Sequence, residues 1–320
     1  MFAVRTAKAA FLTLAIFSLP AAGAETVILG SVGSTSANQW PTYVALAKGF
    51  YTAQDIKADI IYAQSNAGVI QQLAAGSVNV SVNSGLVDPI RASEKRAPVA
   101  LLRIEVQKPP YALLAKSNIK TLKDLKGKLI SIGGAKDITR IFVERMLEPN
   151  GLKSGDYDTT FAGATSARFA ALQSGAVDAA ILTPPFNFHA ESAGFNHLGN
   201  SVDYVDMPFA GMAVNTNWAT ANKQTVEKLI TIYNTSIAWL YDPNNKDEAV
   251  QILMRASNLK KEDVEKAYNY LIPGKYFEPT GKISKSRLTA LVDALKSLGD
   301  LPSDFAVERL FLTGITQTTD

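Results

Sequence analysis

The sequence predicts an α/β protein of two similar lobes, each a mainly parallel sheet flanked by helices. Three observations carry this expectation. Short β-type runs alternate with helical patterns, as in domains built from parallel strands. The stretch Leu73-Ala-Ala-Gly76-Ser-Val78-Asn79-Val-Ser-Val82 is echoed, at an offset of 99, by Leu172-Gln-Ser-Gly175-Ala-Val177-Asp178-Ala-Ala-Ile181. Loops after several strand-like runs share Gly, Ser, Thr and Asn. Helix–glycine–strand is a common unit that can recur by chance; read as a repeat, it means two lobes presenting three loops each.

The elements follow in order. Thr26 to Val32 is apolar enough for a first strand, and a loop from Gly33 leads to a helix from Pro41 to Lys48, stopped by Gly49. Asp59–Ala63 reads as a strand. Val69, Ile70, Leu73 and Ala74 then fall on one helical face before Gly76. Val78, Val80 and Val82 alternate as a third strand. Tyr111–Ala115 and Leu129–Ile132 are strands around a short helix that Thr121 and Asp124 cap at capping-box spacing. Ile138, Ile141, Phe142 and Met146 mark another helix. In the carboxyl third, the series beginning at Val226, Ala249, Val264 and Leu288 give four amphipathic helices whose stripes are core.

Composition narrows the function. The chain has 320 residues, room for about two domains at roughly 150 residues each. It is 47% hydrophobic, which suffices for a sizeable core. With 32 basic and 29 acidic residues it lacks the excess positive charge of a nucleic-acid partner. The absence of cysteine excludes disulfides, thiolate metal sites and cysteine nucleophiles, and two histidines, His189 and His197, make a histidine metal centre improbable. No cofactor and no metal are expected. Arg5 and Lys8, the apolar run Ala9–Leu19 and the small residues Ala22-Gly23-Ala24 read as a signal peptide over residues 1–24, cleaved near Ala24/Glu25. That makes the protein exported and, in a bacterium with an outer membrane, periplasmic. No later segment has 18 uninterrupted apolar residues.

The six loops are Gly33–Trp40, Gln64–Ala67, Asn83–Gly85, Gly133–Arg140, Gly163–Ser166 and Thr183–Phe186. Open α/β sheets bind ligands at such places, and helix N-termini favour anions. Their candidate ligand contacts are Ser34, Thr35, Asn38, Trp40, Ser65, Asn66, Asn83, Ser84, Gly85, Lys136, Asp137, Thr139, Arg140, Thr165, Thr183 and Phe186, together with Phe209. Any one Ser, Thr or Asn could be a helix cap and nothing more. Arg140, assisted by Lys136, offers a planar fork for an acid group; alternatively Asp137 caps its helix and pairs with either cation. Trp40, Phe186 and Phe209 could enclose an apolar body.

Gly49-Phe50-Tyr51, Gln71-Gln-Leu-Ala-Ala-Gly76, Thr121-Leu-Lys-Asp-Leu-Lys-Gly127-Lys and Thr183-Pro184-Pro185-Phe186, followed by Ala190-Glu191 and Gly194-Phe195, carry a resemblance. Together they resemble the nitrate/taurine/alkanesulfonate-type substrate-binding proteins of ABC importers. The resemblance implies a two-lobed periplasmic-binding-protein fold of type II, hinged near 101–108 and 205–214. Lobe one would be 25–106 plus 211–320, and lobe two 107–210. It also implies a monomer that captures a small molecule and presents it to an ABC permease in the inner membrane. Ligands of such proteins include nitrate, sulfonates, carboxylates, pyrimidines and aromatic acids; the expected one here is a small organic anion.

Enzyme readings find little. No Gly-x-Ser-x-Gly elbow or Walker sequence occurs, and Gly133-Gly134-Ala135-Lys136 is only a glycine pair before a lysine. His189 reads as a surface or cleft-edge residue, and Asp203 and Asp206 as loop residues entering the hinge. The pyrimidine synthases related to this family have a cysteine-rich signature that the chain lacks. Catalysis on the same fold, or sensing for a membrane kinase, are the alternatives.

Overall fold

A computed structural model describes residues 23–320. The signal peptide expected over residues 1–24 lies, except for its last two residues, outside the described residues. The chain runs β1 (Glu25–Val32), α1 (Trp40–Ala47), β2 (Ile56–Ala63), α2 (Asn66–Ala75), β3 (Val80–Gly85), α3 (Val87–Glu94) and β4 (Val99–Val106). It continues through β5 (Ala112–Ala115), β6 (Leu129–Ile132), α4 (Ile138–Leu147), β7 (Asp158–Phe161), α5 (Thr165–Gln173), β8 (Ala179–Leu182), α6 (Phe186–Ser192) and β9 (Asn196–Asn200). Then come β10 (Ala210–Asn215), α7 (Thr216–Ala221), α8 (Lys223–Tyr241), α9 (Lys246–Ser257), α10 (Lys261–Leu271) and α11 (Lys285–Ser297).

Two five-stranded sheets result, ordered β2-β1-β3-β10-β4 and β7-β6-β8-β5-β9. In each, four strands run one way and one runs against them: β10 in the first sheet and β5 in the second. Those two are the strands the chain enters after passing from one sheet to the other. The protein is thus a two-lobed α/β molecule with mainly parallel sheets. The recurring stretch has a structural basis: β2-α2-β3-α3-β4 has the same order as β7-α5-β8-α6-β9. Gly76 and Gly175 both close a helix in the left-handed region, at φ 80° and 79°, a conformation that costs a residue with a Cβ.

Local pattern and tertiary context disagree at a few elements. The third strand begins at Val80 rather than Val78 and reaches Gly85, because β10 pairs with it through Ala210↔Gly85. Asn83, Ser84 and Gly85, expected in a loop, therefore end a strand. β7, an edge strand with most of its residues exposed, has no apolar alternation to announce it. α3 contains Pro89 and four polar or charged residues, which hides its buried face of Val87, Pro89 and Ile90.

The crossings run side by side. Phe209 N–H donates to Val106 O at 3.0 Å, and β10 lies antiparallel to β4. The carboxyl helices pack mainly on the first sheet's side: α8 meets α1 through the Thr42 and Tyr233 hydroxyls, 2.7 Å apart, and Trp40 Nε1 donates to Ala249 O on α9 at 3.0 Å. α10 also reaches the second lobe, where Asp263 receives His189 Nδ1 at 2.8 Å and Ser192 Oγ at 3.0 Å. No described helix is long and apolar enough to cross a membrane.

Candidate functional site

The carboxyl ends of parallel strands from both sheets converge on one cavity between the lobes. The space between its lining atoms, including the solvent open at its mouth, is about 540 Å³.

The first lobe's wall begins where β1 ends. Gly33 turns at φ 63°, and Gln39 Nε2 holds the loop by donating to Val32 O and Gly33 O at 3.0 and 2.7 Å. Ser36 caps the short turn that follows, accepting from Asn38 N–H at 3.2 Å. Asn38 is buried, and among the described residues its Oδ1 has no hydrogen-bond partner. Ser65 caps α2 through Gly68 N–H at 3.2 Å. Asn83 sits at φ 52°, unusual for a residue with a Cβ. Its N–H donates to the Glu105 carboxylate, and its Oδ1, like that of Asn38, is buried without a partner. Burial pushes the Glu105 carboxyl up to about 7, opposed by Arg103 and by the Asn83 N–H.

The second lobe supplies helix N-termini and a cation. Asp137 caps α4, accepting from Thr139 N–H at 2.9 Å and from Thr139 Oγ1 at 2.6 Å. Thr165 Oγ1 accepts from Thr183 N–H at 3.1 Å. Arg168, 3% exposed, forms part of the cavity wall. Its Nε donates to Ile181 O at 2.7 Å and its Nη1 to Gly163 O. Buried without a paired carboxylate among the described residues, such a guanidinium suits an anionic or carbonyl-bearing guest. The crossings contribute the aromatic wall: Tyr111 and Phe209 meet edge to face at 5.0 Å, with Phe142 behind both. The Arg168 Cζ lies 5.7 Å from the Tyr111 ring centre. Burial drives the Tyr111 hydroxyl's pKa upward, with Arg168 opposing.

The lobes touch around the cavity. Asn66 Nδ2 donates to Asp137 Oδ2 at 3.0 Å while its Oδ1 accepts from Gly85 N–H at 3.3 Å. Ser36 Oγ and Thr183 Oγ1 are 3.2 Å apart, and Ala37 N–H donates to Pro184 O at 2.9 Å. A Cβ on Gly163 would stand 2.0 Å from Gln64 O.

Nine of the seventeen expected contacts line this cavity: Thr35, Asn38, Ser65, Asn66, Asn83, Asp137, Thr165, Thr183 and Phe209. Eight stand elsewhere. Ser34 is exposed at the loop's outer side. Trp40 is wholly buried in the first lobe, edge to face with Tyr268 at 5.9 Å. Ser84 Oγ accepts from Ser81 Oγ within the sheet at 2.7 Å. Gly85 serves through its N–H to Asn66. Lys136 is exposed, and only its carbonyl is engaged, by Arg91. Thr139 braces the Gly133 turn and Asp137. Phe186 packs on Phe169 at 5.8 Å. Arg140 pairs with Asp300 at 3.1 Å and Glu144 at 3.6 Å, which corrects its assignment as the anion anchor; two carboxylates already claim the fork.

Five side chains of the wall were not among the expected contacts: Val32, Ser36, Tyr111, Ala164 and Arg168. For Arg168 two signals existed. A cation in a helix's first turn opposes the helix dipole. The offset of 99 also sets Arg168 opposite Val69, a fully buried core residue.

A family model described as NMT1/THI5 like matches residues 36–247, well over half of the chain. Among curated proteins, the riboflavin-binding protein RibY of Chloroflexus aurantiacus is 27% identical over 224 residues, 67% of this chain. The chain matches 62% of that relative's length. The alkanesulfonate-binding protein SsuA from Xanthomonas axonopodis pv. citri, bound to MOPS, superposes with a TM-score of 0.73 at 19% identity, covering 88% of this chain and 96% of that one. The periplasmic nitrate-binding protein NrtA from Synechocystis PCC 6803 gives 0.73 at 14%, covering 89% and 84%. A desulfurization enzyme, DSZB, shares the fold at 0.65 and 14%, covering 89% and 96%. At these identities the likeness is one of fold, and that fold carries both binding proteins and an enzyme.

Proposed function

The chain belongs to the NMT1/THI5-like family, and from that premise we propose that it is a periplasmic solute-binding receptor of an ABC importer. It captures a small organic molecule between its lobes, closes about the crossings near 101–108 and 205–214, and presents the closed form to an inner-membrane permease. The moving bodies are residues 25–106 plus 211–320 and residues 107–210, and the working unit is a monomer.

The observation that carries this reading is the polar inventory of the interlobe cavity. Arg168 offers charge-assisted donors to an acid or carbonyl group. The amide oxygens of Asn38 and Asn83, buried and unpartnered, call for N–H or O–H donors, since a buried polar atom left unpaired costs about 1–3 kcal/mol. Tyr111 and Phe209 supply an apolar wall for the ligand's body. The ligand we propose is a small organic acid, its acid group at Arg168 and its body against Tyr111 and Phe209.

A thermal-shift screen over carboxylates, sulfonates, pyrimidines and riboflavin tests it, because a ligand at 100 times its Kd adds about 2.7 kcal/mol to stability. For the best hit, calorimetry on Arg168→Ala should show a loss of about 1.5–3 kcal/mol, the range for hydrogen bonds to charged groups, while Arg140→Ala keeps the direct contacts. Equal affinity of Arg168→Ala and wild type would overturn the anchor. Turnover of the bound compound, seen by mass spectrometry, would overturn the receptor reading.

A further inference from the structure

Outside the cavity, a chain of charges joins the lobes. Asp300 Oδ2 receives Arg91 Nη2 at 2.6 Å and Arg140 Nη2 at 3.1 Å. Arg91 lies on α3 of the first lobe and also donates through Nη1 to the carbonyl of Lys136 in the second. Arg140 lies on α4 of the second lobe. The side chains of Asp300 and Arg91 are only 12% and 14% exposed, so water competes weakly for them. None of the three lines the cavity.

The position of Asp300 gives it leverage. It follows α11, where Gly299 turns at φ 72° and Asp300 N–H returns to Leu295 O at 2.9 Å. The opposite end of α11 is tied to the crossings: Arg287 Nη2 donates to Gln107 O at 2.8 Å and to Asp206 Oδ1 at 2.7 Å. The 13 residues of α11 span about 20 Å at 1.5 Å per residue. One end of the helix stands on the hinge, and the other carries the carboxylate to a place where opening must break a contact.

We propose that Asp300 is an interlobe clasp, binding Arg91 of one lobe and Arg140 of the other so that it sets the closed population whatever the cleft holds. This rests on the reading that the lobes open about the crossings. Asp300 is a positioning residue, acting on the cavity through the lobes and not on the guest.

The test needs no ligand. The chain lacks cysteine, so spin labels on Lys57→Cys and Lys123→Cys, exposed positions of the two lobes, report one interlobe distance distribution. Asp300→Asn and Arg140→Gln should each lower the closed-to-open ratio about two- to five-fold, equivalent to roughly 0.4–1 kcal/mol. Gly163→Ala, whose new Cβ would meet Gln64, is the control for opening. If it opens the lobes while Asp300→Asn matches wild type, the clasp is wrong; if neither moves, the hinge reading falls and the clasp with it.

Discussion

Gly163 is where closure is most sharply testable. Its φ of 63° already penalises any side chain, by about 1–2 kcal/mol for an L-residue in the left-handed region. The second effect is geometric. A Cβ would lie 2.0 Å from the Gln64 carbonyl oxygen, when real Cβ contacts stay beyond 3.0 Å. Gln64 precedes α2 in the first lobe and Gly163 precedes α5 in the second, so relief requires the lobes to part here by about 1 Å or more. Gly175 separates the two effects: its φ is 79° and nothing lies within 4 Å of an added Cβ. Both Gly163→Ala and Gly175→Ala should lose about 1–2 kcal/mol, or roughly 2–8 °C in Tm for lobes of this size. Only Gly163→Ala should lengthen the interlobe distance and weaken binding of whatever hit the ligand screen yields. Calorimetry and the spin-label pair read the two quantities independently. Were Gly163→Ala to keep the wild-type distance distribution, the backbone approach at Gln64 would not exist in solution and the closed geometry would be wrong.

Two further outcomes follow from buried groups. Trp40→Ala should cost about 3–5 kcal/mol in urea unfolding, as for other large aromatic truncations, because the indole is wholly buried and bonded to Ala249 O; a near-neutral change would return Trp40 to the list of ligand contacts. The Glu105 carboxyl, raised to about 7 by burial, binds its proton more tightly folded than unfolded. Its stabilising contribution is therefore full below about pH 4 and lost as pH rises through about 7, at no more than roughly 1.4 kcal/mol per pH unit. Glu105→Gln should remove that component, so the wild-type advantage over the variant shrinks from pH 5 to pH 8; a difference constant with pH would contradict it.

Local pattern made much of the molecule legible. β6 runs from Leu129 to Ile132 as its apolar run predicts, and α4 begins at Ile138 where its stripe begins. Gly76 and Gly175 end their helices because a left-handed C-cap is a local property that glycine meets without strain. The echo at an offset of 99 carried the doubled architecture, and it located the loops, because a strand end followed by a helix cap is written in neighbouring residues. What the chain could not show locally was which side of a helix start faces the other lobe. Arg140 and Arg168 both sit in the first turns of helices beside glycine-rich loops. Arg140 is turned to the rim by Asp300, 160 residues away, whereas Arg168 is held into the wall by the carbonyls of Ile181 and Gly163. Trp40 and Phe186 were drawn inside for the same reason: their partners Ala249 and Phe169 are supplied by packing. Sequence alone determined most of the strands and most of the loops at the rim, since these follow from short-range periodicity and caps. Tertiary structure alone decided which of two arginines enters the cleft, since a charge goes where distant carboxylates and carbonyls can satisfy it.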